Sequence, residues 1–237
     1  MKTFYLTCFL ILCHSSIVRA DDFTINTVSG WSNNIDFQSD YVERGISQTE
    51  GRPAIDVGIA YQDCTGIFGG FDVTNTRQGN GNVETDLTLG YATSLSSSWL
   101  YQNTVIYTGY PGSSNNGNLD TVEFQNILNW KQTWGTLIGA FAFQPQGQNH
   151  GGFYTYTEGG VDFTLRHDFI LGTRVGYSSY ANHAAHPNYL DWTVSLSKRV
   201  TRRLAVSVQY TGSTNYNHIT DPGNGQHVIL VVSLSLF

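Results

Sequence analysis

Apolar and polar residues alternate with a period of two through almost the whole chain, and no segment sustains the three-and-four spacing of an amphipathic helix. Ile55, Val57, Ile59 and Tyr61 interleave with Ala54, Asp56, Gly58 and Ala60. Val83, Thr85, Leu87, Leu89 and Tyr91 do the same with Glu84, Asp86, Thr88 and Gly90, as do Leu190, Trp192, Val194 and Leu196 and, later, Leu204, Val206, Val208 and Tyr210. Successive side chains of a strand point to opposite faces, so each apolar set occupies one face and the polar set the other. The pattern places about twelve strands, near 34–44, 53–62, 66–74, 83–92, 98–110, 121–130, 136–144, 153–163, 169–178, 189–197, 204–211 and 227–237. Most are as long as a tilted strand needs to cross hydrocarbon.

Composition decides what solvates the apolar faces. Only 13% of the chain is charged and 14% is aromatic, with 25 glycines, against about 25% charged in soluble domains. No apolar run outside the first twenty residues is long enough for a spanning helix, and in lipid the other way to satisfy every backbone group is a closed barrel. The connections support that choice. Segments 45–52, 75–82, 111–120, 145–152, 179–188 and 212–226 are long and polar, and they alternate with the short segments 63–65, 93–97, 131–135, 164–168 and 198–203, as in barrels with short periplasmic turns and longer outer loops. The expected fold is all-β: a transmembrane antiparallel β-barrel of about 12 strands over 33–237. Cys64 is expected in a periplasmic turn, and Tyr61, Tyr91, Trp99, Tyr101, Tyr110, Trp130, Tyr177, Tyr189 and Tyr210 in aromatic girdles at the lipid boundaries.

Residues 1–20 read as a cleaved signal peptide: Lys2, an apolar core from Phe4 to Cys13, and Val18-Arg19-Ala20 before the cut. Residues 21–32 fall outside the twelve strands and are left as a periplasmic tail, a plug or an extra strand. Lys2 and Arg19 leave with the leader, so the 12 basic residues fall to 10 against 18 acids, a balance that excludes nucleic acid as a partner. Cys8 and Cys13 also leave, and Cys64 stays without an intramolecular disulfide partner.

At residues 39–48 the sequence reads SDYVERGISQ, which resembles the signature of the TorF-type porin family, a Gly/Trp-containing proteobacterial outer-membrane family of unknown function. Tyr110-Pro111-Gly112, Glu123, Glu158-Gly159-Gly160, Leu171-Gly172, Val175-Gly176-Tyr177, Asp191-Trp192 and Leu196-Ser197-Lys198 follow in the same order. The resemblance implies an outer-membrane barrel with no catalytic residues and no assigned solute. Phe237 fits the C-terminal residue that the barrel-assembly machinery reads. The face of the last strand that meets lipid stays open, because Leu236, Leu234, Val232, Leu230 and Val228 lie on the parity opposite to Phe237.

If the apolar faces meet lipid, Asp36, Asp40, Asp56, Asp72, Glu84, Asp86, Glu123, Glu158, Asp162 and Asp191 face the lumen with Arg44 and Arg174. Such an excess of carboxylates selects for cations, although arginine or tyrosine could instead engage several of them to brace a closed barrel. Asp40 and Arg44 fall four apart on the expected first strand, too far to pair along it, and Arg44 is the candidate centre of a lumenal ion pair. His150, His183, His186 and His218 lie in long loops where solvation is the ordinary reading, and no metal site or cofactor is expected. Lys198, Arg199, Arg202 and Arg203 crowd one turn, where anionic headgroups or solvation account for them. Nothing pairs a serine with a histidine base by spacing. The reading is a porin-like channel, not an enzyme, for small cationic or zwitterionic solutes, with outer-membrane lipids around it. A non-conducting structural or surface-interaction barrel and a lipid-active enzyme are the alternatives.

Overall fold

The structure, a computed structural model, describes residues 29–77, 81–113, 119–183, 186–214 and 225–236. Twelve antiparallel strands close a barrel: β1 (Gly30–Gln38), β4 (Ala54–Gln62), β5 (Ile67–Asn75), β6 (Val83–Ser94), β7 (Trp99–Gly109), β8 (Thr121–Gln132), β9 (Gly135–Gly147), β10 (Gly152–Thr164), β11 (Phe169–Tyr180), β12 (Tyr189–Arg199), β13 (Leu204–Ser213) and β14 (Gln226–Leu234). Each strand pairs with its neighbour in sequence, and β1 closes the ring between β14 and β4. Two further strands, β2 (Val42–Glu43) and β3 (Ile46–Ser47), form a separate hairpin between β1 and β4.

The faces are inverted relative to a soluble barrel. On β4, Ile55 and Val57 are each 47% exposed while Asp56, between them, is 4% exposed. Leu87, Leu89, Val175 and Val228 are likewise outside, and Asp86, Ser178 and Gln209 inside. Water would penalise an apolar belt of this extent, so hydrocarbon solvates it and the barrel spans a membrane. On β14 the even-numbered residues Val228 and Leu230 are exposed while Ile229 and Val231 are buried, which assigns the lipid face of the last strand.

The belt is bounded at both rims by aromatic side chains. At the rim with short turns, Trp31 packs on Tyr61, Trp99 stacks on Trp130 and Trp134 lies against Phe163. At the opposite rim Tyr107 and Tyr210 donate hydrogen bonds to Asp120 and Gln226, and the Tyr177 hydroxyl accepts one from Asn188. Each ring keeps its apolar body in lipid and its hydroxyl among polar loop residues. Tyr110 and Tyr189 depart from the expected girdle: they are 4% and 3% exposed and belong to the interior.

Three boundaries differ from those expected. The first strand starts at Gly30, so residues 30–32 extend that strand and are neither a tail, a plug nor a separate strand. It also ends at Gln38, where the expectation ran to 44. The expected connection 145–152 shrinks to the turn around Gln148–His150, because β9 and β10 pair up to Gly147 and Gly152 with a register shift before Tyr154. The leader 1–20, His218 and Phe237 lie outside the described residues.

Candidate functional site

The chain leaves the barrel wall at Ser39 and turns into the lumen. The hairpin β2–β3 has Arg44 and Gly45 at its tip, with φ of 48° and 76°; two successive residues of positive φ make the tight connection that suits a two-residue hairpin. Its stem rests on the β14 wall, where Val42 is buried against Ile229 and Val231. Its tip reaches β8 and β10, close to diametrically opposite β1 in the ring of strands. There Arg44 donates to Glu123 at 2.6 Å and to the Tyr154 hydroxyl at 2.9 Å, and its guanidinium lies 4.3 Å from the centre of the Tyr156 ring. The hairpin therefore crosses the lumen as a strut. Gly45 is required at the tip: a Cβ there would stand 2.6 Å from the Gly212 carbonyl oxygen, on a backbone that L side chains rarely adopt.

Asp40 anchors the base of the strut. Its Oδ2 lies 3.0 Å from His227 Nδ1, and its Oδ1 accepts from the hydroxyls of Ser47 and Thr49. Burial pushes the Asp40 carboxyl up, but the hydrogen bonds from His227, Ser47 and Thr49 outweigh it and hold the group below the usual carboxylate range. The carboxylate stands between Ser47 and His227, whereas activation of a serine needs the imidazole in the middle. Tyr41 extends from the same base to donate to Glu84 at 2.7 Å, and Tyr110 donates to the other oxygen of that carboxylate.

Below the strut the lumen has two unlike walls. No Lys or Arg occurs in β1, β4, β5, β6 or β7, yet Asp36 faces Asp56 across one strand pair and Asp72 faces Asp86 across another. All four are at most 8% exposed. Asn34 donates to both Asp36 and Asp56, Thr74 to Asp56 and Thr108 to Asp86. On the facing wall Arg174 of β11 grips Asp162 of β10 with two bonds, 2.8 and 3.0 Å, and its Nε lies 3.7 Å from Glu158. Tyr156 Oη is 3.0 Å from Glu158 and 3.1 Å from Asp191, so its single proton serves one carboxylate at a time. Glycines make room for these side chains: a Cβ at Gly160 would fall 2.3 Å from Arg174 Cδ, and one at Gly176 would fall 2.2 Å from Tyr156 Oη.

The strand acids read from sequence thus lie in the interior, with Glu123 and Glu158 at arginines and Glu84 at two tyrosines. Asp40 and Arg44 are also interior, but on the inserted loop and not on the first strand. The alternation of Asp40, Val42 and Arg44 imitates a continuing strand, and the turn signal that corrects it is the Gly45 flanked by Val42-Glu43 and Ile46-Ser47. Tyr154 and Tyr156, which hold the strut tip, carry no charge to mark them in the sequence, although they share the inward parity of Glu158. On the loop side of the strut a cavity of about 210 Å³ is bounded by Arg44, Glu123, Gln144, Gln148, Tyr154 and Tyr180. His186, one of the loop histidines, stacks on Tyr180 with ring centres 5.0 Å apart, and the described residues hold no cluster of three His, Cys, Asp or Glu placed for a metal ion.

Comparison with known proteins finds the same architecture. A family model described as "Bacterial protein of unknown function (Gcw_chp)" matches residues 25–230. A solved structure described as "KdgM porin" superposes with a TM-score of 0.59 at 14% identity, covering 86% of this chain and 97% of that one. One described as "NanC porin structure in rhombohedral crystal form" gives 0.57 at 11% identity, over 87% and 98%. A third, "KdgM porin in complex with disordered oligogalacturonate", gives 0.56 at 12% identity, over 88% and 98%. No curated protein sequence matches.

Proposed function

We propose, from the premise that the chain belongs to the Gcw_chp family of bacterial proteins of unknown function, that it is an outer-membrane, porin-like channel of TorF type for small cationic or zwitterionic solutes. The observation that carries this reading is the row of inward carboxylates on strands that contain no basic residue. Fixed negative charge in a narrow, low-dielectric passage raises the local concentration of cations and repels anions. The inserted hairpin narrows the passage on the loop side, and the cavity above it receives the solute first. The short turns, Cys64 among them, face the periplasm, as in other barrels of this type. Channel chemistry requires no nucleophile, and the likeness to KdgM and NanC porins supports a channel over an enzyme.

Liposome swelling tests this reading. Vesicles carrying the mature protein should admit small cations and zwitterions such as lysine and glycine betaine faster than anions of the same size. Equal rates for all three would leave no role for the carboxylates.

One observation favours a second reading, a non-conducting structural barrel. Tyr41 and Val42 of the inserted loop are each 1% exposed, and Asp36 and Glu84 are 0% exposed, as expected of a lumen filled by its own side chains. Absence of swelling with every solute would select that reading.

A further inference from the structure

The basic residues that the channel does not use are concentrated at one place. Of the ten outside the leader, Lys131, Arg166, Lys198, Arg199, Arg202 and Arg203 stand at the rim with short turns. Arg166, Arg202 and Arg203 belong to the two adjacent turns that follow β10 and β12, and Lys198 and Arg199 end β12 itself. Among the described residues the acids at that rim are Asp63 and Asp168. Within the crescent Lys198 stands on the lipid face, whereas Arg199 has the inward parity of Ser197. Lys198 shares the outward parity of Val194 and Leu196, and its Nζ sits 4.7 Å from the centre of the Phe169 ring on the neighbouring strand. Two apolar tips flank the charges, Leu165 at 44% and Val200 at 53% exposure.

We infer that this crescent binds the phosphodiester headgroups of anionic glycerophospholipid in the leaflet around the turns. The inference rests on the outer-membrane orientation proposed above, though not on conduction. Charge complementarity identifies the occupant. Arginine forks pair with phosphate oxygens, and a lysine held on an aromatic ring at the hydrocarbon boundary sits at headgroup depth. Leu165 and Val200 meet the first carbons of the acyl chains beneath those phosphates.

The test is native mass spectrometry of the delipidated full-length barrel in uncharged detergent, offered equimolar phosphatidylethanolamine, phosphatidylglycerol and cardiolipin. The wild type should retain the two anionic lipids about five-fold or more over the zwitterionic one, since each basic residue near an anionic surface adds its own attraction. R166Q/K198Q/R202Q/R203Q should lose the preference, while R166K/K198R/R202K/R203K and the opposite-rim variant R52Q/R77Q keep it. Slower migration of boiled than unheated samples verifies that each variant folds. No preference in the wild type, an equal loss in R52Q/R77Q, or displacement of the lipids by soluble heparin at matched charge would overturn the inference. A barrel that fails to conduct but retains the lipids contradicts the channel alone.

Discussion

The two walls of the lumen hold their carboxylates in different ways. On β10 and β11, Asp162 and Glu158 are matched by Arg174, and at the strut tip Glu123 is matched by Arg44. On β1, β4 and β6, Asp36, Asp56 and Asp86 receive hydrogen bonds from Asn34, Thr74 and Thr108, and Asp72 of β5 faces Asp86, all on strands without a single Lys or Arg. An arginine cancels the field of its partner and leaves a brace. A neutral donor stabilises the carboxylate and leaves its charge to act on the lumen. On the proposed channel reading, the three arginine-matched acids Glu123, Glu158 and Asp162 serve stiffness, and the four acids Asp36, Asp56, Asp72 and Asp86 serve selectivity.

Removing a brace should have the largest effect. Arg174→Met leaves Asp162 and Glu158 without their guanidinium, and stranding buried charge costs about 3–5 kcal/mol. Asp56→Asn, on the other wall, should stay within about 1 kcal/mol of wild type. Urea midpoints in detergent read both, and similar losses would erase the distinction between the walls.

The strut comes next. Gly45→Val places branched carbon against the Gly212 carbonyl and should push Arg44 away from Glu123 and Tyr154. Single-channel conductance should rise well above that of wild type, and an unchanged value would show that the hairpin does not limit the passage.

Selectivity should divide by wall. D36N/D56N/D72N/D86N should remove most of the cation preference with the barrel still heat-modifiable. E123Q/E158Q removes carboxylates whose charge arginine already offsets, so the preference should change little while stability falls. A set chosen by parity alone, such as Glu84, Asp86, Glu123 and Glu158, mixes the two roles.

The smallest effect is expected at the base of the strut. The Asp40 carboxyl is held below its ordinary value, so its contribution is complete above that value and is lost as the pH falls through the lowered one. Hydrogen exchange at Tyr41 and Gln48, whose amides bond within the loop, should lose protection in that acid range. Asp40→Asn should show no such step, and a step shared by both proteins would place the titrating group elsewhere.

Much of this was legible in sequence because a barrel wall obeys one rule throughout. Ile55 to Tyr61 point out and Asp56 to Ala60 point in for the same reason that β-strands pleat, and neighbouring strands repeat it. The strut was not legible, because its contacts join residues 79 and 110 positions apart in the chain and period-two reading carries no information about a loop that leaves the wall. The charge on Asp40 and Arg44 suggested the interior, but the chain enters it by leaving the wall at Ser39, and the positive φ at Arg44 and Gly45 turns it back at the hairpin tip. Tyr110 and Tyr189 show the complementary limit. An aromatic near a rim reads as girdle unless its parity, inward here, is followed to the partner it meets, Glu84 for Tyr110 and Ser178 for Tyr189.

The most direct measurement is the zero-current potential of the purified wild-type barrel in a planar bilayer with a tenfold potassium chloride gradient. The account predicts a cation-selective potential at low salt that declines as both sides are raised and the screening length shrinks. A potential of anionic sign, or a value indifferent to salt and unchanged in D36N/D56N/D72N/D86N, would contradict it.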